Sequence, residues 1–273
     1  PAFVLEHLRL SEQQFGWFFI PMIGGMMLGA FVSFWLVDET TTDGVLRKHN
    51  CPKVQQLADG RVLISCDIFD NPPGEGHLGS RASSIWLWHS SDDGLTWSEP
   101  IDTSVKGIMP DEVVELPGGD WLLATQAKDS ETGNTAQLVS RSSDRGTTWS
   151  GPVTVASRKG YSFCEASILR LPDGRLVCYM RENSNIGRPG YKCISTDDGR
   201  TWNGPFETQM EGCHRPVAHL TKSGKVLITY RHHIGGGSPW AKNVFAFLES
   251  VESALEPDRN AQTGVLLPLD HDR

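Results

Sequence analysis

Short apolar runs separated by glycine-bearing turns recur along most of the chain. Val54–Leu57 and Val62–Cys66 flank Asp59-Gly60, and Val113–Leu116 and Trp121–Ala124 flank Gly118-Gly119. Ile168–Leu171 and Leu176–Tyr179 flank Asp173-Gly174, and Val217–Leu220 and Val226–Tyr230 flank Ser223-Gly224. Two apolar runs joined by such a dipeptide predict a β-hairpin, because glycine supplies the positive φ of a tight turn. A third apolar run follows each of the first three hairpins, at Ser84–His89, Ala136–Ser140 and Tyr191–Ile194. Each unit therefore predicts an inner hairpin of strands A and B, a longer loop, a strand C and an outer strand D.

The octapeptide Ser-x-Asp-x-Gly-x-Thr-Trp follows each C run, at Ser90–Trp97, Ser142–Trp149 and Ser195–Trp202. Its tryptophans are 52 and 53 residues apart, the size of one supersecondary module. Asp92, Asp144 and Asp197, with the serines before them, accept hydrogen bonds from nearby amides. Gly94, Gly146 and Gly199 supply positive φ, and Trp97, Trp149 and Trp202 bury their rings between strands. The octapeptide is thus a self-satisfied turn with a structural role, and its carboxylates are already occupied, which argues against bound calcium. Four antiparallel strands repeated at this period describe an all-β propeller with four blades, and Gly264–Leu269 is expected to open a fifth.

The first residues break the pattern. Phe15 to Val37 carries no charge over 23 residues, enough to span a bilayer as one hydrophobic helix. Gly25 and Gly29 are spaced for helix packing in lipid. Residues 8–33 resemble a transmembrane helix of a major-facilitator transporter. Residues 1–44 are therefore expected to be a separate segment, either an anchor giving membrane association or foreign sequence, with the propeller running from 45 to 273.

Composition narrows the function. A formal charge of −8 argues against a nucleic-acid partner, which needs a basic face. Six cysteines with no metal-type spacing read as buried free thiols, with a Cys51–Cys66 pair left open. No motif implies a cofactor or a metal.

Strand direction places candidate chemistry. The starts of the A strands, the ends of the B strands and the B–C loops share one rim; the A–B turns and octapeptides occupy the other. The first rim gathers Asn50, Asp67, Asp111, Glu112, Gln126, Glu165, Arg181, His214, Arg215, Arg231 and His232. Guanidinium groups bind carboxylates bidentately, so Arg181, Arg215 and Arg231 are candidates for an anionic ligand. Glycoside cleavage needs a pair of acid/base groups; Glu165 is the best placed carboxylate, with Glu112 and Asp111 next.

The three octapeptides resemble the Asp-boxes, or BNR repeats, of the sialidase superfamily, and His214-Arg215-Pro216 resembles that family's Arg-x-Pro at the start of an inner strand. The resemblance implies a six-bladed sialidase-like β-propeller, of which about four blades are present and C-terminal blades are expected to be missing. It implies an exo-sialidase-type glycoside hydrolase releasing a terminal sialic acid or related acidic sugar from a glycoconjugate. Arg181, Arg215 and Arg231 would hold the carboxylate, with Asn50, His214 and His232 beside them, and Glu165 would assist the nucleophile. Three departures stand out. Asn50-Cys51-Pro52 replaces the first Arg-Ile-Pro; no acid/base aspartate aligns near Gly79–Ser84, Asp67 and Asp70 being the nearest substitutes; and the nucleophilic tyrosine belongs to a later blade. A non-catalytic carbohydrate-binding or structural propeller is the alternative, and a different glycosidase using Asp111 or Glu112 is a third reading.

Overall fold

The apolar runs form the expected hairpins, and the hairpins assemble into four antiparallel sheets. The computed structural model describes residues 38–40, 46–71, 84–109, 111–233 and 243–269. The first sheet contains β1 (Asp38–Thr40), β2 (Leu46–Gln56), β3 (Val62–Asn71), β4 (Ser84–Ser90) and β5 (Ile101–Lys106), hydrogen-bonded in that order. The second contains β6 (Val114–Glu115), β7 (Trp121–Lys128), β8 (Thr135–Ser142) and β9 (Val153–Ala156). The third contains β10 (Phe163–Arg170), β11 (Leu176–Glu182), β12 (Tyr191–Ser195) and β13 (Asn203–Glu207). The fourth contains β14 (Cys213–Leu220), β15 (Val226–His232), β16 (Val244–Glu249) and β17 (Gly264–Pro268). In each, neighbours in sequence are neighbours in space, as in propeller blades.

The chain divides into two compact units, residues 1–49 with 69–81, and residues 50–68 with 82–273. In the smaller unit β1 pairs antiparallel with the start of β2, Asp38 opposite Lys48 and Thr40 opposite Leu46. The first sheet thus begins before residue 45, where the sequence suggested the propeller would start. The uncharged stretch 15–37 and its transporter-like resemblance lie outside the described residues. Among the described residues no helix is long and apolar enough to cross a membrane.

In the larger unit, three apolar layers lie between successive sheets. Leu57, Leu63, Ile85 and Leu87 of the first sheet meet Trp121 and Leu123 of the second. Leu122, Ala124 and Val139 of the second pack with Phe163, Cys178 and Tyr191 of the third. Leu169, Val177 and Tyr179 of the third pack with Ala218, Ile228 and Phe247 of the fourth. Strands covered on both faces cannot alternate cleanly between apolar and polar, which explains β7, where Trp121–Thr125 are all buried. All six cysteines are free, and Cys66 Sγ donates to Asn50 O at 3.2 Å, so the Cys51–Cys66 alternative does not hold.

One feature of the fourth sheet differs from expectation and another follows it. Gly264–Pro268 pairs with β16, Phe245 opposite Pro268 and Glu249 opposite Gly264, so it closes the fourth blade and does not open a fifth. An octapeptide is also replaced here. The short helix α1 (Val251–Ala254), capped by Ser250, follows β16 in the place where an Asp-box follows the other C strands.

The three Asp-boxes share their serine, aspartate and threonine bonds. In the first, Ser90 Oγ donates to Asp92 Oδ1 at 2.8 Å and accepts from Gly94 N at 2.9 Å. Thr96 N and Oγ1 then donate to the two oxygens of Asp92 at 2.8 and 2.6 Å. The same bonds recur around Asp144 and Asp197. The threonine hydroxyls, above all, hold the Asp92 and Asp144 carboxyls down at about 2. Trp97 and Trp149 donate to the carbonyls of Gly94 and Gly146 at 3.1 and 3.0 Å.

Not every box glycine has the same surroundings. Gly94 and Gly146 have nearly equal φ of +86° and +90°, so a side chain at either meets the same backbone penalty, roughly 1–2 kcal/mol. A Cβ at Gly94 would only touch Trp97 at 3.5 Å, whereas one at Gly146 would sit 2.9 Å from Trp121 and 3.0 Å from Leu87 of the preceding blade. Gly94→Ala is therefore expected to cost about 1–2 kcal/mol and Gly146→Ala about 2–4 kcal/mol. Urea unfolding of both variants checks this; equal losses would mean that the inter-blade contact adds nothing.

Candidate functional site

The four inner hairpins share a register, and that register places the rim chemistry. Each A–B turn has an equivalent 2.8 Å backbone bond: Leu57 N to Arg61 O, Leu116 N to Asp120 O, Leu171 N to Arg175 O, and Thr221 N to Lys225 O. Six residues before the donor lie Cys51, Pro110, Glu165 and Arg215; six residues after the acceptor lie Asp67, Gln126, Arg181 and Arg231. Pro110 is outside the described residues. Cys51, Glu165 and Arg215 are left-handed, with φ of 51°, 50° and 56°. The ladder breaks at two of them, between Cys164 and Ser167 in β10 and between His214 and Val217 in β14. A bulge with a non-glycine residue at positive φ costs about 1 kcal/mol or more and re-aims a side chain. Three blades carry the left-handed residue at one equivalent position, and two of them carry the bulge.

Two clusters result. The first centres on Glu165. Its carboxylate accepts from Arg181 Nη1 at 3.1 Å and lies 3.6 Å from His214 Nδ1, while its amide donates to Gln126 Oε1 of the neighbouring blade at 2.5 Å. Arg181 Nη2 also donates to Asn183 Oδ1 at 2.6 Å. Arg231 Nη2 is 3.0 Å from both ring nitrogens of His214, and the His233 ring lies 5.5 Å from the His214 ring. Burial, with Arg181, Arg231 and His233 around it, holds the His214 imidazole well below its usual range against the opposing pull of Glu165. The ring is therefore neutral at pH 7.

The second cluster centres on Asp67, which is buried. Asn50 Nδ2 donates to its Oδ2 at 2.6 Å, and its Oδ1 makes no hydrogen bond among the described residues. Burial pushes this carboxyl up to about 6, only partly offset by the Asn50 bond. Lys53 Nζ donates to Cys51 O at 3.0 Å. Burial and then the charge of Arg215 lower the Lys53 ammonium, while Cys51, Asp67 and Asp111 oppose them. Arg215 is exposed and forms no hydrogen bond or ion pair among the described residues. Burial raises Asp111, against a bond from Ser167, and Glu112 is raised by partial burial and by Asp111 beside it.

The rim thus gathers most of the expected residues in a different grouping. Arg181 and Arg231 meet at Glu165 and His214, whereas Arg215 joins neither and acts through its charge on Lys53. His232 is buried against Phe245, with ring centroids 5.1 Å apart, and so occupies a core position. Lys53 is the member that sequence reasoning passed over. Its signal was the period-two spacing from Cys51 through Lys53 to Gln55, whose amide brackets Val113 of the next blade at 3.0 and 2.7 Å.

Similarity to known proteins agrees with this architecture. Residues 34–242 match the BNR repeat-like domain family. No curated protein matches the sequence. Among solved structures, a protein of unknown function from Dyadobacter fermentans is similar with a TM-score of 0.66 at 21% identity, over 82% of this chain and 65% of that one. An α-L-arabinanase of Penicillium chrysogenum complexed with arabinobiose has a TM-score of 0.56 at 17% identity, over 80% and 66%. A Hadza microbial sialidase has a TM-score of 0.59 at 15% identity, over 86% and 49%. The chain therefore spans about two thirds or less of the length of these structures. With the family match covering most of its length, the chain belongs to the BNR repeat-like domain family and adopts a sialidase-like β-propeller fold.

Proposed function

We propose that this rim is the site of a glycoside hydrolase that removes a terminal acidic sugar, of the sialic acid kind, from a glycoconjugate. The observation that carries the reading is the contrast between two carboxylates at one rim. Asp67 is buried and raised to about 6, while Glu165 is ion-paired with Arg181 at 3.1 Å. Two acids whose environments differ in this way suit the division of labour in glycoside cleavage. Asp67 gives its proton to the leaving oxygen as the glycosidic C–O bond breaks. Water adds its oxygen to the anomeric carbon and yields its proton to Glu165. Lys53 and Arg215, two cations at this rim whose charges act on each other, favour a carboxylated sugar over a neutral one.

The arabinanase likeness supports a second reading, a neutral furanoside as substrate, and the pair of substrates separates the two. A fluorogenic sialoside should be hydrolysed and a fluorogenic arabinofuranoside should not. Arg215→Ala should lower kcat/KM on the sialoside by about 10–100-fold, the worth of a charged hydrogen bond. Turnover of the arabinofuranoside alone would replace the acidic substrate with a neutral one. Glycan binding without release of free sugar would leave a carbohydrate-binding propeller.

A further inference from the structure

On the Asp-box rim, opposite the candidate site, the second and third blades are clamped together. Arg141, the residue ahead of the second box, pairs with Asp120 at 2.7 Å and reaches across to donate to Asp198 O in the third box. The cleft left between these blades holds about 110 Å³. The next junction is built differently. Arg175 and Ile194 stand where Asp120 and Arg141 stand one blade earlier, and α1, with Leu255 and Pro257 after it, takes the place of the box. The cleft there widens to about 330 Å³, lined by Arg175, Ile194, Thr196, Trp202, Asn203 and Leu255 among others.

Two of these residues lack the partners that their equivalents have. Ser98 and Ser150, which follow the first two box tryptophans, accept from His89 N and Arg141 N at 3.0 and 3.1 Å. Asn203 occupies that place in the third blade, opposite Ile194, and its exposed side-chain amide makes no hydrogen bond among the described residues. Trp97 and Trp149 donate to their box glycines, whereas Trp202 Nε1 is buried without a hydrogen bond among the described residues. With its nitrogen buried and the residue partly exposed, Trp202 offers the cleft ring carbon.

That lining selects a class of ligand. Indole carbon, Ile194 and Leu255 suit the apolar face of a ring, while the Asn203 amide and the Thr196 hydroxyl suit hydroxyl groups at its edge. Arg175 is held by Asp173 at 2.5 Å, so its charge is already compensated and an anion gains little. A cleft of this volume lies at the small end of ligand sites, enough for a sugar ring or two but not for a folded partner.

We propose that this cleft is a second carbohydrate-binding site, which stacks one ring of an uncharged sugar on Trp202 and hydrogen-bonds it through Asn203. A glycan bound there leaves the opposite rim free for substrate.

The experiment titrates the full chain with lactose and follows the indole N–H signals of its nine tryptophans by NMR, that of Trp202 being assigned by its loss in Trp202→Phe. The Trp202 signal should move saturably. Asn203→Ala should raise the lactose Kd up to about 10-fold, the worth of one hydrogen bond, and Thr196→Trp, which fills the cleft from an exposed position, should abolish binding. A Trp202 signal that stays still at the highest soluble lactose concentration would overturn the proposal, as would a Kd unchanged in both variants. Movement of that signal with polyproline but not with lactose would replace the sugar with a peptide. None of these readings depends on turnover, so the site stands or falls apart from the glycosidase at the other rim.

Discussion

Replacing Asp67 by asparagine is expected to lower kcat/KM on a hydrolysed glycoside by about 10²–10⁴-fold, the worth of a general acid, and at the same time to stabilise the protein above pH 7. The two effects share one cause. Burial raises this carboxyl from an ordinary 3.8 to about 6, so the folded state holds its proton more tightly than the unfolded state does. The stabilising contribution of that proton is present in full below the unfolded value and is lost as pH rises through about 6. Above that, the fold carries a buried charge whose Oδ1 has no hydrogen bond among the described residues, a cost on the order of 2–3 kcal/mol. A neutral amide of the same shape avoids the charge. Urea unfolding at pH 8 should therefore favour Asp67→Asn, and the advantage should vanish near pH 4.

The pH–rate profile supplies the second half. An acid that must be protonated gives a wild-type kcat/KM that declines as pH rises through about 6, and this limb should be absent from the residual activity of Asp67→Asn. Full activity in the variant would remove Asp67 from the chemistry. Loss of stability at pH 8 would mean that its charge has a partner which the Asn50 bond does not reveal.

The blades were legible in the sequence because their signals are local. A glycine dipeptide between two apolar runs, or an octapeptide that satisfies its own hydrogen bonds, depends on nothing far away. The fourth blade was harder for the same reason. With α1 in place of an octapeptide, Gly264 read as the start of a new unit, and only its pairing with β16 shows that it closes the old one.

The site was legible as a rim but not as a set of contacts. Arg231 and His232 are adjacent in sequence and face opposite sides of their strand, so one reaches His214 and the other packs on Phe245. The left-handed positions were also hidden, because Cys51, Glu165 and Arg215 carry none of the usual marks of positive φ, which glycine and asparagine do. Even in the Asp-boxes the glycine is only half of the turn: Asp93, Arg145 and Asp198, immediately before the glycines, have φ of 56°, 55° and 57°. Counting six residues back from each A–B turn would have exposed the shared position in the inner strands.

That shared position yields the sharpest contrast between stability and function. Glu165→Gln keeps the size of the side chain and removes its charge, and is expected to abolish at least 99.9% of kcat/KM, as about 10³-fold losses accompany removal of a reacting carboxylate. Because Glu165 is what raises the His214 imidazole while Arg181, Arg231 and His233 lower it, the variant should move the His214 titration further down. An NMR titration of the ring reads this without reference to turnover. Glu165→Gly separates the backbone from the side chain. At φ 50° glycine relieves strain of about 1 kcal/mol, which offsets the loss of a partly exposed ion pair of comparable worth. The glycine variant should therefore unfold within about 1 kcal/mol of the wild type and be as inactive as Glu165→Gln. A glycine variant that is both much less stable and still active would make Glu165 a structural residue and leave the left-handed bulge without its proposed purpose.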